Sequence, residues 1–404
     1  MNNFGTLYGY ECKKLFRKKM VWISLTLCII TVAFSLIAPI LGGYYVDGKL
    51  IDTNYNMYKE EKHYADLLDG REINQELIQQ TVDAYRKIPA TTENHYTLTQ
   101  EYQQYARQYS EIFNFIRGIS GMETSEIMRT WHANEDDMYA KRQAWLTSMR
   151  EDMKLSNGEI QFWESQEEKI VTPYVYQKHN GYSTLLSSYQ TVGIIVLMLI
   201  AICLSGIFSN EHTRKTDQII LSSTLGKTQL YRAKIMAGIS FAVIITVLFL
   251  TTVFLTTVYL YGTENFNAAF QLIYFSNSNP ISCGQAILIS YVNMIITAVF
   301  VSVFVMVLSE LLHSNIATVA VLTALTITPM VLNVPEHYRV LSQIWDWFPW
   351  RYLAPWSVFG NYTLCIFGHY LTSWQAVPII YIFISAIITF IGKPIYKRFQ
   401  VSGR

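Results

Sequence analysis

Charge is what this sequence has least of. Only 15% of its 404 residues are Asp, Glu, Lys or Arg, against 51% apolar, where a water-soluble chain carries about a quarter charged residues. Long stretches therefore never meet water, and the chain reads as a membrane protein. A basic excess is also missing. The 31 Lys and Arg against 30 Asp and Glu leave a net charge of +1, whereas a nucleic-acid surface gathers cations on one face, so nucleic acid is excluded as a partner. Cysteine is sparse: Cys12, Cys28, Cys203, Cys283 and Cys365 are scattered, with no C-x-x-C and no Cys/His pair at zinc spacing. That excludes a disulfide scaffold and speaks against a structural metal. No H-E-x-x-H or G-x-S-x-G occurs, which leaves an intramembrane enzyme without support. Gly226-Lys227-Thr228 lacks the earlier glycine that lets a backbone wrap phosphates, since Leu221 stands there. The chain is not expected to hydrolyse ATP or to bind a cofactor itself.

What is present is a set of apolar runs. A membrane-crossing helix needs about 20 mainly apolar residues, and six candidates occur: Val21–Gly43, Leu185–Phe208, Ile235–Tyr261, Ala286–Ser309, Ile316–Leu332 and Ala376–Gly392. The fifth is short and ends beside Pro329. The first is too long for a cleaved signal and no A-x-A site closes it, so it is expected to stay as an anchor. Lys13, Lys14, Arg17, Lys18 and Lys19 precede it, Arg214, Lys215, Lys227, Arg232 and Lys234 follow the second run, and Lys393, Lys397, Arg398 and Arg404 follow the last. Basic residues resist translocation, so both termini are expected in the cytoplasm of a multi-pass plasma-membrane protein. The fold class is then an all-α polytopic membrane protein, six transmembrane helices with a helical extracellular domain between the first and second.

That domain, residues 44–184, holds 15 basic and 23 acidic residues. Tyr102, Tyr105, Tyr109, Ile112, Phe113 and Ile116 step by three and four, the mark of an amphipathic helix. Ile73, Leu77, Tyr85 and Ile88 repeat the pattern upstream, and Met138, Trp145, Met149 and Met153 downstream. The stripes read as the core of a helical bundle rather than a ligand surface. Glu135-Asp136-Asp137 lacks the spacing and glycine of a calcium loop and reads as a solvated face. Tyr174, Tyr176 and Tyr182, behind Pro173, are expected to seat the chain on the outer leaflet.

On the cytoplasmic side, Phe4, Leu7, Tyr8, Cys12 and Leu15 share a helical face, with Lys13, Lys14, Arg17 and Lys18 largely off it. Such a basic amphipathic helix lies on the inner membrane surface, drawn by anionic lipid. The polar loop 209–234 opens with Glu211, carries a short helical stretch from Asp217 to Leu221 and is stopped by Gly226. It has the character of a docking element. Residues 333–375 hold Trp345, Trp347, Phe348, Trp350, Tyr352, Trp356, Phe359 and Tyr362 with Pro349 and Pro355, a density that predicts short helices or a hairpin in the headgroup region. Asp346 and Arg351 are placed to pair.

Tyr10-Glu11-Cys12-Lys13-Lys14-Leu15-Phe16-Arg17-Lys18-Lys19 before the first run, the large insertion after it, and Glu211 with Lys215-Thr216-Asp217-Gln218-Ile219-Ile220-Leu221-Ser222-Ser223, Gly226-Lys227 and Lys234 together resemble the ABC-2-type transporter permease family. The resemblance implies an interfacial helix at 4–19 involving Lys13, Lys14, Phe16, Arg17 and Lys18. It implies a coupling helix within 211–223, where Glu211, Arg214, Lys215 and Asp217 would meet a separate ATP-binding cassette ATPase that carries the ATP and Mg2+. A second permease chain, identical or not, completes the assembly. Trp345, Trp347, Trp350 and Trp356 become outer-gate candidates.

Ionisable residues inside membrane spans are costly and usually functional, and these runs have essentially none. Glu310 and His313 fall at the cytoplasmic end of the fourth, in interfacial water by this reading. Thr246, Thr251, Thr252, Thr256, Thr257 and Asn293 are left for polar lining or helix contacts. The expected function is export of an amphipathic substrate such as a peptide, antibiotic or lipid. The alternative is an anchored receptor or scaffold whose outer domain binds a ligand.

Overall fold

The computed structural model describes residues 4–89, 96–131, 137–216, 223 and 225–398. The chain is mostly helical. Five helical runs are long and apolar enough to cross a membrane: Lys19–Ile40, Asn180–Thr213, Gln229–Tyr261, Cys283–Leu312 and Ser373–Lys397. We label α1 Phe4–Phe16 and α2 Lys19–Ile37, the second run as α9 (Asn180–Leu204) and α10 (Gly206–Thr213), then α11 Gln229–Tyr261, α12 Cys283–Leu312 and, last, α16 Ser373–Arg398. Central α12 packs against α9, α11 and α16. At Gly238 the side chain of Met306 fills the space between α11 and α12, and an added Cβ would stand 2.2 Å from its sulfur and displace it.

The fifth apolar run forms α13, Asn315–Val331. Its 17 residues rise about 25 Å, short of a hydrocarbon core of about 30 Å. Its first residue bonds to α10, Asn315 Nδ2 donating to Asn210 Oδ1 at 2.8 Å. Its far end bonds to the aromatic loop, where Trp345 Nε1 donates to the Leu332 carbonyl at 3.0 Å and Arg351 Nη1 to that of Pro329 at 3.2 Å.

The helical expectation holds, and the chain adds two short antiparallel hairpins, β1 (Gly43–Val46) with β2 (Lys49–Thr53) and β3 (Thr363–Ile366) with β4 (His369–Thr372). Each turns on two residues in the left-handed region, Asp47-Gly48 and Phe367-Gly368, the geometry that matches strand twist in a two-residue loop. The first apolar run accordingly stops being helical near Pro39, before Gly43.

Between α2 and α9 lies a polar domain built from α3 (Asn54–Leu68), α4 (Gln75–Tyr85), α5 (Ser110–Ser120), α6 (Thr124–Thr130), α7 (Met138–Asp152) and α8 (Asn157–Glu167). Its aromatic stripe is core: Tyr85 stacks on Phe113 at 3.6 Å, and Tyr102, Ile112 and Ile116 are buried. Tyr174, Tyr176 and Tyr182 are buried too, which corrects the expectation that they sit in a membrane interface. Asp137 caps α7 by accepting from the Tyr139 and Ala140 amides; Glu135 and Asp136 lie outside the described residues.

The buried line of α7 is Met138, Arg142, Leu146 and Arg150; of the face read from the sequence Met138 and Met153 are buried, while Trp145 and Met149 are not. Arg142 donates to the carbonyls of Phe275 (2.7 Å) and Asn277 (3.0 Å) and pairs with Glu167, and Arg150 donates to Ser278 Oγ at 2.9 Å. The guanidinium groups thus satisfy carbonyls of the loop between α11 and α12, and the polar domain is held to the helices by charge-assisted bonds. Another tie joins α8 to α14 (Arg339–Asp346) and β3. Glu159 accepts from the Ser156 amide and Thr363 Oγ1, both at 2.9 Å, and pairs with Arg339.

Burial would raise the Glu159 carboxyl, but the Ser156 amide, Arg339 and Thr363 outweigh it and hold the group below its ordinary 4.5. A depressed carboxyl stabilises above its unfolded value and loses that contribution as pH falls through its folded value. Acidification below about pH 4.5 should therefore loosen the α8–β3 contact. Hydrogen exchange at 156–163 and 363–366 should rise with acid in the native chain and lose that dependence in Glu159→Gln; an unchanged profile in the variant counts against the assignment.

Candidate functional site

Lys234 lies in the second turn of α11 and is fully buried, 0% exposed. A buried ammonium is tolerated only where counter-charges and acceptors meet it. All three of its N–H groups are used: Glu211 Oε1 at 2.7 Å, Glu11 Oε2 at 3.0 Å and the Ile207 carbonyl at 3.3 Å. The Phe208 ring lies 5.7 Å away as a weaker cation partner. Lys14 completes the set, 2.7 Å from Glu211 Oε1 and 3.7 Å from Glu11 Oε1. Two ammonium groups thus neutralise two carboxylates, and the four come from α1, α10 and α11. Burial alone would lower Lys14, but Glu211 and Glu11 outweigh it and raise it. At Lys18 the balance is reversed: burial, then Lys14 and Lys234, push it down to about 8.

Helix α1 is set on this joint by its apolar face. Leu15 is buried, Tyr8 donates to Ser240 Oγ at 2.8 Å, and Phe16 meets Phe241 at 5.7 Å. The face carrying Phe4, Leu7, Tyr8, Cys12 and Leu15 turns to α11, with Glu11 as its buried charge. Lys13, Lys14, Phe16 and Arg17 are exposed and Lys18 is half-buried.

The coupling candidates separate. Glu211, 5% exposed, points inward, its carboxylate occupied by two lysines of its own chain. Arg214 and Lys215 are exposed, and Lys215 turns the chain with φ of 54°. Asp217 and the stretch to Leu221 lie outside the described residues. The sequence missed the pairing of Glu11 with Lys234; the signal was a lone Glu on an otherwise apolar helical face.

The four tryptophans do not form one site. Trp345 and Trp347 are half-buried and spend their indole N–H groups on the Leu332 carbonyl and Ser373 Oγ, both at 3.0 Å. Trp350 is buried and Trp356 is exposed. The interior is reached instead by Tyr352, whose hydroxyl lies 3.0 Å from Asn293 Oδ1 in the membrane-length α12. Arg351 and Asp346 do pair, at 2.6 Å.

A cavity of about 330 Å3 opens where the polar domain meets α9, lined by Glu111, Asn114, His179, Asn180 and Thr184 among others. Asn180 Nδ2 donates to Glu111 Oε1 at 3.1 Å, while its buried Oδ1 has no partner among the described residues.

No family model, curated protein or solved structure matches this chain.

Removing one member of a buried charge set strands the others and costs about 3–5 kcal/mol. Lys234→Met should lower the thermal midpoint of the detergent-purified chain sharply, and adding Glu11→Gln and Glu211→Gln should recover part of the loss. A midpoint that Lys234→Met leaves in place speaks against the joint.

Proposed function

We propose that the chain is the membrane-spanning subunit of an ABC-2-type exporter, powered by a separate ATP-binding cassette ATPase that holds the ATP and Mg2+. The observation that carries this reading is the joint of buried Glu11, Glu211 and Lys234, with exposed Lys14 at its edge. A force on the loop after α10 reaches α1 and α11 through this joint, because none of the three buried members can move alone without stranding a charge. Exposed Arg214 and Lys215, at the start of that loop, together with Asp217, are the groups offered to the partner, while Glu211 positions them. A second permease chain completes the assembly, and the apolar faces of α2, with Trp22, Ile23, Leu27 and Phe34 exposed, meet lipid or that chain.

In this reading α13 is the fifth of six crossings. It is short, yet its ends bond to opposite ends of the bundle, Asn210 at one and the aromatic loop at the other, and a short span is accommodated by local thinning of the bilayer. Six crossings put both termini in the cytoplasm, with the polar domain outside the plasma membrane. The substrate class is amphipathic: a peptide, an antibiotic or a lipid. The polar cavity at Glu111 and Asn180 favours the second reading, a receptor whose outer domain binds a ligand.

Purification of the chain from its native membranes in mild detergent, followed by mass spectrometry, decides between them. The permease reading expects a stoichiometric ATPase subunit, lost when residues 214–223 are replaced by a neutral linker that leaves Glu211 in place. Recovery of the intact chain without an ATPase in several detergents overturns it and leaves the receptor.

A further inference from the structure

One residue beyond Glu211, a second group of chain-distant side chains converges. His212 Nε2 lies 3.0 Å from Glu310 Oε2, and the His212 ring stands perpendicular to that of His313 with centroids 4.2 Å apart. The donor atoms of the three residues all fall within 4.8 Å of one another. Glu310 is 2% exposed, which corrects its expected place in interfacial water, and a carboxylate so buried needs a cationic partner. Its ion-pair partner among the described residues is His212.

We infer that His212, Glu310 and His313 bind one divalent transition-metal ion of the zinc type. Two imidazoles and a carboxylate are a zinc donor set, with bonds of about 2.0–2.2 Å and the fourth tetrahedral position left to water. Tetrahedral bonds of that length place donors about 3.3 Å apart, so the three atoms need only small side-chain adjustments to close on an ion. Calcium and magnesium, which take oxygen ligands, are disfavoured by the two nitrogens. Coordination requires a neutral imidazole and an ionised carboxylate, so binding weakens as protons compete for the ligands.

The backbone prepares the geometry. Glu310 and His313 are three residues apart, on one face of the last turn of α12, and His313 ends that helix in the left-handed conformation with φ of 51°. His, Asn and Asp are the side chains other than glycine that enter this region most readily. His313 is exposed, so an ion reaches the site from solvent. Once bound, it ties α10 to the end of α12 beside the Glu211–Lys234 pair, which makes the stiffness of that joint depend on metal supply. The site does not rest on the permease reading.

The test uses the full chain, purified through a streptavidin-binding tag so that no polyhistidine competes, stripped with EDTA and titrated with Co2+ and then Zn2+. The expected result is one saturable equivalent per chain, with the d–d absorption of low-symmetry Co2+, bleached by Zn2+. His313→Asn, which keeps the left-handed turn, and His212→Ala should each weaken the apparent affinity by at least tenfold, while the remote His337→Ala leaves it unchanged. Failure to bind a saturable equivalent, or an equivalent that survives both His313→Asn and His212→Ala, overturns the inference. Because His313 is exposed and its variant preserves the turn, loss of folding does not stand in for loss of binding; the unfolding midpoint of the stripped variant should match that of the stripped native chain.

Discussion

The arrangement of the basic end follows from one constraint: an ammonium group with no exposure to water must be neutralised by atoms of its own chain. Lys234 sits where three helices meet, and meeting its three N–H groups requires Glu11, Glu211 and the Ile207 carbonyl at once. That requirement fixes the depth of α1, its rotation about its own axis, and the angle at which α10 leaves α9. Apolar packing of Leu15 and Phe16 would hold α1 to the bundle but would tolerate a turn of the helix. The ion pairs do not, because a rotation that withdraws Glu11 leaves a charge without a partner.

At the other end of α11 the same physics works again, with buried side-chain cations donating mainly to the backbone. Arg142 and Arg150 reach carbonyls and a hydroxyl of the loop that follows α11. The helix between the two clamps has 33 residues, about 50 Å of rigid rod. In the proposed export cycle this rod joins a displacement at the α10 loop to the polar domain, which gives that domain a mechanical reason to be gripped by buried guanidinium groups instead of tethered by a linker.

Much of this architecture was legible in the sequence, because apolar runs and helical periodicity report burial directly. The membrane-length helices and the aromatic core of the polar domain follow from that signal. What escaped it were residues whose side chains are polar in composition and buried in fact. Periodicity placed Trp145 and Met149 on the inner face of α7, where Arg142 and Arg150 belong, since a scale that counts arginine as exposed cannot register one that satisfies carbonyls 133 and 135 residues away in the chain. The hairpin at Asp47-Gly48 was masked by the apolar run before it. At the joint, Glu211, Lys14 and Lys234 were each visible as part of a basic or polar segment, but their convergence depends on tertiary distance, and Glu11 was marked only as a lone carboxylate on the apolar face of α1.

The same limit explains why a search for paired metal ligands passes over the basic end. Glu310 and His313 are neighbours on one helix turn, but His212 is 98 residues from Glu310, and no local motif joins them. The buried carboxylates of this end, Glu11, Glu211 and Glu310, are then neutralised in different ways. Glu211 faces Lys14 and Lys234, whose ammonium groups do not coordinate metals, and so makes a fixed joint. Glu310 faces imidazole, the one side chain whose ordinary pKa lies near neutrality and whose nitrogens coordinate metals, so its counter-charge is exchangeable. Placing an exchangeable counter-charge one residue from a fixed one lets the composition of the surrounding water alter the stiffness of α10 without disturbing the charges that hold α1 and α11 together.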